Sequence, residues 1–244
     1  MQKILSGLVA IGLVSFSVVI PARAEESLKS ELDAKAKAAR EKTPAEIRRI
    51  MEKALEDVRK TKIAEKAKKK GAAFPSRALK NLTGDSVDLS KQAAIKPVIV
   101  VFYRGGWCPY CMAQLKYWNG KIDEVKAKGA EFYAVTPEKT DEAKKTSEKN
   151  EWKFPVLVDE GSNLARDLGI VYPLPQDLIG VYRKFGIDLE KTNTSEQWEL
   201  PISATYVVGT DGKIAYAHID PDYKKRAEPS EVLKKVPAAA SGKH

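Results

Sequence analysis

The only two cysteines in this chain stand three apart, in the segment Trp107-Cys108-Pro109-Tyr110-Cys111. An apolar stretch before them, 97–103, reads as a buried strand, and residues 112–128 after them favour a helix. A strand that delivers Cys-x-x-Cys to the first turn of a helix is the layout of a thiol redox site. With no other cysteine available, the two can bridge only each other within one chain. The pair therefore constrains the fold, which must pass from strand to helix here, and the chemistry together.

A thiolate is the nucleophile, and an ordinary cysteine, with a pKa of ~8.5, is mostly protonated at neutral pH. At a helix start the unpaired backbone N–H groups and the dipole favour an anion. Cys108 is thus the expected nucleophile. Cys111, one turn along, is expected to be more buried and able to attack whatever forms on Cys108. Pro109 suits the first helical position and stiffens the turn. Arg104 either adds positive potential or makes an outward salt bridge, and the sequence leaves both open. A zinc site needs four ligands, and the only histidines are His218 and His244. No metal or organic cofactor is expected. A purely structural disulfide across so small a loop would stabilise little.

Residues 1–24 read as an export signal. Lys3 gives a positive start, 4–20 is apolar, Pro21 breaks the run, and Ala22-Arg23-Ala24 fits a cleavage site before Glu25. The competing reading is a membrane anchor, but ~17 apolar residues fall short of the ~20 that span a bilayer. No cysteine lies near the cut, which excludes a lipid-anchored cysteine there. Export, to the periplasm, would place the protein where disulfides persist. Without a structural disulfide it must rely on its core, and roughly 170 residues of globular sequence can supply one. An apolar fraction of 43% agrees with that.

The net charge is +9, with much of the excess between Lys29 and Lys80, including Lys68-Lys69-Lys70. These lysines alternate with Glu and Ala and carry no interleaved aromatics. They read as a solvated helical face rather than a nucleic-acid site, and any membrane-surface contact would be transient.

Residues 25–70 form a charged, Ala-rich helical extension. Thr43-Pro44-Ala45-Glu46 reads as a helix start, with Thr43 capping, Pro44 in the first helical position and Glu46 reaching back. The stripe Ile47, Ile50, Met51, Ala54, Leu55 and Val58 should pack on the main domain or on a partner subunit. The thinner stripe of 28–40 is expected to be mobile. From 71 to 236 a redox domain is expected. Thr83-Gly84-Asp85 turns into a short strand with Val87 and Leu89. Strands follow at 97–103, 130–136 and 154–158, with helices at 112–128, 141–150 and 161–168. Residues 171–200 read as an irregular insertion with a helix around 178–185. Strands 205–209 and 213–219 are joined by Thr210-Asp211-Gly212, a hairpin signal, and 230–236 closes as a helix. Residues 237–244 are expected to be disordered. The alternation indicates an α/β sheet with helices on both faces.

The segment Phe102-Tyr103-Arg104-Gly105-Gly106-Trp107-Cys108-Pro109-Tyr110-Cys111 resembles the active-site segment of the peroxiredoxin-like branch of the AhpC/TSA family (alkyl hydroperoxide reductase/thiol-specific antioxidant). Trp198-Glu199-Leu200-Pro201-Ile202-Ser203-Ala204-Thr205-Tyr206-Val207-Val208 is similar to a second family segment, and Asp222-Tyr223-Lys224-Lys225-Arg226 with Glu228-Pro229 to a third. The resemblance covers roughly 44–236. It implies a thioredoxin-like fold, a central mixed sheet flanked by helices, here with an N-terminal helical extension. It also implies thiol-based redox activity at Cys108 and Cys111, with Arg104, Trp107, Pro109, Tyr110 and Ser203 in support. Cys-Pro-Tyr-Cys is, in addition, the glutaredoxin-type dithiol.

Two positions depart from the family pattern. Peroxiredoxins place Thr or Ser three residues before the peroxide-reacting cysteine, and here that residue is Gly105. Thioredoxin folds set a cis-proline opposite the dithiol, which would fall just before Ala204, where Ser203 stands. A cis bond before a non-proline residue costs ~3 kcal/mol, so the Ile202–Ser203 bond is expected to be trans. Pro201 could take over only with a shifted loop. The function expected is hydroperoxide reduction by Cys108, with Cys111 closing the disulfide and an external dithiol restoring the pair. The alternative is exchange with protein disulfides.

Overall fold

The computed structural model describes residues 27–238. The expected leader, and residues 239–244 of the expected tail, lie outside them. Among the described residues no helix is long and apolar enough to cross a membrane.

The described residues open with helices α1 (Leu28–Lys42), α2 (Ala45–Lys60) and the short α3 (Ile63–Lys66). Strands β1 (Ala78–Asn81) and β2 (Ser86–Asp88) form a hairpin and lead into α4 (Leu89–Ile95). Next come β3 (Val98–Phe102), α5 (Pro109–Ala127), β4 (Glu131–Thr136), α6 (Thr140–Lys149), β5 (Val156–Val158) and α7 (Asn163–Leu168). The insertion holds β6 (Val171–Pro173), α8 (Gln176–Lys184), α9 (Leu189–Thr192) and β7 (Glu199–Pro201). The chain closes with β8 (Ser203–Val208), β9 (Ile214–Asp220) and α10 (Pro229–Leu233).

Seven strands make one mixed sheet in the order β2-β1-β5-β4-β3-β8-β9. The central β3, β4 and β5 are parallel, while β8 runs antiparallel to β3 and β9 to β8. Strands β6 and β7 form a separate antiparallel pair. β3 is buried on both faces, so it reads as an unbroken apolar run. Its side chains still alternate. Val98, Val100 and Phe102 face a core shared with α2, α3, α7 and α8. Ile99, Val101 and Tyr103 face a second core shared with α1, α5 and α10. This is the thioredoxin-like layering implied by the resemblance.

Four local expectations need correction. Leu89 is not in a strand. Asp88 accepts the Ser90 N–H at 2.9 Å and caps α4, which buries Leu89. An Asp in that position favours a helix start over a continued strand. Thr43 does not cap α2. Its hydroxyl donates to the Ala39 carbonyl at 2.6 Å, which ends α1, and Pro44 takes the cap position. Residues 28–42 are docked, with Leu28 and Leu32 buried against α5 and both carboxylate oxygens of Glu228 accepting the Leu28 and Lys29 N–H groups. That carboxylate satisfies amides the helix itself cannot. The insertion also holds more order than expected, since β6, β7 and α9 are additional to α8. The apolar stripe of α2 packs on the main domain, where Ala54 and Val58 join the core of the sheet.

Candidate active site

β3 ends at Phe102, and the segment 103–107 carries the chain from the C-terminal end of the sheet to α5. Cys108 is the N-cap of α5, in extended conformation, with Pro109 in the first turn. Its sulfur accepts the Cys111 N–H at 3.3 Å. Cys108 and Cys111 form a disulfide, with Cα atoms 5.3 Å apart. Both cysteines are 0% exposed. The sulfur of Cys108 thus sits buried at the helix start, bonded to a backbone amide of the first turn.

Arg104 points inward and is 4% exposed. Its guanidinium donates to the Cys108 sulfur at 3.2 Å and to the Tyr182 hydroxyl at 3.0 Å. It lies between two rings, 4.3 Å from the centre of Tyr223 and 5.1 Å from that of Trp107. These aromatic faces offset the cost of burying the cation. Trp107 meets Tyr182 edge to face at 5.4 Å, and Tyr110 meets Tyr223 in the same way at 5.5 Å. Pro109 is exposed.

Cys111 has a guanidinium of its own. Arg226 donates to its sulfur at 3.4 Å from 115 residues further along the chain. Burial, with repulsion from Arg104, pushes Arg226 down to about 9, against opposing attraction from Asp222 and Asp220. It remains a cation at neutral pH. Ser203 does not touch the sulfurs by any hydrogen bond. Its hydroxyl donates to the Lys225 carbonyl at 3.0 Å and so fixes the residue before Arg226. The Ile202–Ser203 bond is trans, and no described peptide bond is cis.

Gly105 has a local reason for lacking a side chain. A Cβ there would sit 2.8 Å from a Glu138 carboxylate oxygen and closer still to the Trp107 indole nitrogen. The space a Thr or Ser would fill is already occupied. Glu138, just past β4, is buried and accepts the Gly106 N–H at 3.0 Å through Oε1. Its Oε2 has no hydrogen-bond partner among the described residues. Burial, helped by repulsion from Glu142, pushes Glu138 up to about 7 against the pull of the Gly106 amide.

Arg104, Cys108, Tyr110 and Cys111 are therefore gathered in one buried cluster, with Trp107 half-buried at its edge. Ser203 acts on it at one remove, and Pro109 lies on its surface. Arg226, Tyr223, Tyr182 and Glu138 are members that the sequence did not single out. Arg226 and Tyr223 stood inside a family-like segment, which was the one signal available. Nothing local marked Tyr182 or Glu138.

A mixed sheet with a dithiol at the strand-to-helix junction defines a thioredoxin-like redox protein. The sequence profile of the AhpC/TSA family matches residues 70–217, and the chain belongs to that family. A thiol-disulfide oxidoreductase, ResA, of Bacillus thuringiensis subsp. konkukian is 32% identical over 131 residues, 53% of this chain and 74% of its own. The chloroplastic peroxiredoxin Q of Oryza sativa subsp. japonica is 28% identical over 149 residues, 61% of this chain and 58% of its own. Among solved structures, peroxidoxin BcpB from Mycobacterium tuberculosis superposes with a TM-score of 0.53 at 19% identity, covering 68% of this chain and 95% of that one. A cysteine-to-serine mutant of the peroxiredoxin 6 of Arenicola marina gives a TM-score of 0.54 at 19% identity, over 67% and 70% of the two chains. These likenesses carry the fold. The protein is an enzyme of the thiol-dependent class, a peroxidase or a thiol–disulfide oxidoreductase.

Proposed function

We propose that the protein is an exported hydroperoxide reductase that works through Cys108 and Cys111. The observation that carries this reading is the enclosure of the dithiol, with both cysteines fully buried and Arg104 on the Cys108 sulfur. A small hydroperoxide needs only a local opening to reach such a site, whereas a folded protein disulfide would have to displace its whole cover. The leader-like segment 1–24 supports export.

In the reduced enzyme, Arg104 and the start of α5 stabilise the Cys108 thiolate. The thiolate attacks the terminal peroxide oxygen and the O–O bond breaks. The Arg104 guanidinium faces the negative charge that passes to the leaving oxygen, which takes up a proton as alcohol or water. Cys108 is left as a sulfenic acid. Cys111, paired with Arg226, attacks its sulfur, hydroxide leaves as water, and the disulfide closes. An external dithiol then returns two electrons and two protons.

The test uses protein reduced beforehand. Hydrogen peroxide should close the Cys108–Cys111 disulfide faster than an equal concentration of a disulfide-bonded protein does. In Cys111→Ser, peroxide should leave a sulfenic acid on Cys108 that a sulfenate reagent traps and mass spectrometry reads. An unmodified Cys108 thiol in that variant, still reactive toward a model disulfide, would make exchange the function instead. Two observations favour that second reading: the filled space at Gly105 and the 32% identity to a thiol-disulfide oxidoreductase.

A further inference from the structure

The helices α1 and α2 lie outside the segment matched to the family. Together with the start of α5 and the turn after β9, they line a cavity of about 340 Å³ that opens to solvent. That is within the usual range for a small-molecule site. Its charged lining is one-sided, with Lys37, Arg40, Arg48 and Lys224 against the single carboxylate of Glu52. Its remaining wall includes Tyr110 and Tyr223. Tyr110 stands between the two cysteines in sequence, and Tyr223 covers Arg104, which touches the Cys108 sulfur. Along that path Tyr223 and Arg104 stand between the cavity and the Cys108 sulfur.

One of these cations is held in place by the fold. Arg48 donates to the Arg40 and Thr43 carbonyls, both at 2.9 Å, and so fixes the elbow between α1 and α2. Arg59 of α2 reaches Asp222 at 3.4 Å, which ties the same helix to the turn that carries Tyr223 and Lys224. A cationic, partly apolar pocket beside a redox centre, with Lys37 and Arg40 exposed on its rim, suits one kind of occupant, a small molecule whose carboxylates meet the rim while its reactive end faces the tyrosines.

We infer that this cavity is the docking site for a carboxylate-bearing reaction partner of the dithiol. The inference rests on the reading of Cys108 and Cys111 as the reactive pair, but not on the identity of the oxidant. Two molecules share the chemistry. An anionic thiol would reduce the disulfide, two thiols giving one external disulfide and the protein dithiol. An anionic hydroperoxide would oxidise the dithiol, giving the alcohol, water and the protein disulfide.

The experiment has two arms, both on the full chain. In the first, reduction of the disulfide by mercaptosuccinate is compared with reduction by 2-mercaptoethanol, each corrected for its thiolate fraction. In the second, oxidation of the reduced protein by linoleic acid hydroperoxide is compared with oxidation by its methyl ester. The anionic member should be favoured by roughly tenfold at low salt in one arm, with saturation as its concentration rises. In the double variant Lys37→Glu/Arg40→Glu, both positions being exposed on α1, that ratio should collapse toward one. In Lys126→Glu, remote from the cavity and also exposed, the ratio should persist. The arm with the preference identifies the partner as reductant or oxidant. A ratio near one in both arms, or one that survives the double variant, overturns the inference, because Arg104 and Arg226 alone would then account for any attraction. A protein inert to both peroxides but selective in the first arm would sink the peroxidase reading and leave this one standing.

Discussion

The two ends of the central sheet differ in what they offer chemistry. At the N-terminal ends of β3, β4 and β5 lies the larger cavity, about 400 Å³, lined by residues such as Lys96, Ile122, Phe132, Phe154 and Pro155. Its charged groups reach solvent. Lys96 meets Glu131 at 2.7 Å with both side chains partly in water. At the C-terminal ends of the same strands the chain delivers Arg104 and Cys108 after β3, Glu138 after β4 and Asp159 after β5. All four are buried. The size of a cavity does not locate the chemistry here. Strand direction does, because in a parallel arrangement the loops and helix starts that bind and activate groups gather at the carboxyl ends.

The two buried carboxylates at that end sharpen the point. Asp159 accepts the Leu164 and Ala165 amides at 2.8 and 2.9 Å, and burial still pushes it up to about 6. It serves the start of α7. Glu138 has one amide and an oxygen with no partner, and it rises further. It sits against the loop that leads into the dithiol.

The largest expected effect separates the two ends directly. Arg104→Met should slow oxidation of Cys108 by roughly 10²-fold, the usual cost of removing one donor aimed at developing negative charge. Arg226→Met should spare that first step and slow closure of the disulfide, so that sulfenic acid accumulates. Stopped-flow oxidation with sulfenate trapping reads both. Equal slowing of both steps by either variant would show that the guanidiniums act only as structural supports.

A middle-sized effect concerns Glu138. Its folded value of about 7 exceeds the ordinary carboxyl value of 4.5. Between those limits the folded chain keeps a proton that the unfolded chain has released, so stability falls as pH rises through the window. Glu138→Gln keeps an acceptor for the Gly106 amide and removes the titration. At neutral pH it should gain on the order of 2 kcal/mol, and its stability should fall less between pH 5 and 7. Asp159 would still titrate in the lower part of that window. Urea unfolding at several pH values measures this, and parallel pH profiles for variant and parent would rule the role out.

At the opposite end the expected effect is the smallest. Glu131→Gln breaks a partly exposed pair and should cost about 0–1 kcal/mol with no change in either half-reaction. A clear loss of redox rate in this variant would break the contrast between the two ends.

Much of this contrast was visible in the sequence. The apolar run ending near Tyr103, the paired cysteines and the helix after Pro109 are consecutive. Local propensity and capping fix such an arrangement without help from the rest of the chain. The hairpin through Asp211-Gly212 and the alternation of strands and helices were legible for the same reason. Leu89 and Thr43 were misread because each lies where two local rules compete. The Asp88 cap prevailed over β-patterning, and bonding back to Ala39 prevailed over capping forward. The docking of α1 was hidden because its anchor, Glu228, is 200 residues away.

By itself, then, the sequence determined the fold class and the pairing of Cys108 with Cys111, since both rest on neighbours along the chain. Only the tertiary structure decided what surrounds the sulfurs. Arg226 reaches Cys111 from the segment between β9 and α10, Tyr182 steadies Arg104 from the insertion, and Glu138 with Trp107 fills the space at Gly105. None of these contacts leaves a periodic or local trace, because each is made between segments that meet only when the core packs. The physical reason is the range of the forces involved. Hydrogen bonding and steric preference within a turn act over a few residues, whereas burial brings charges and rings together from anywhere in the chain.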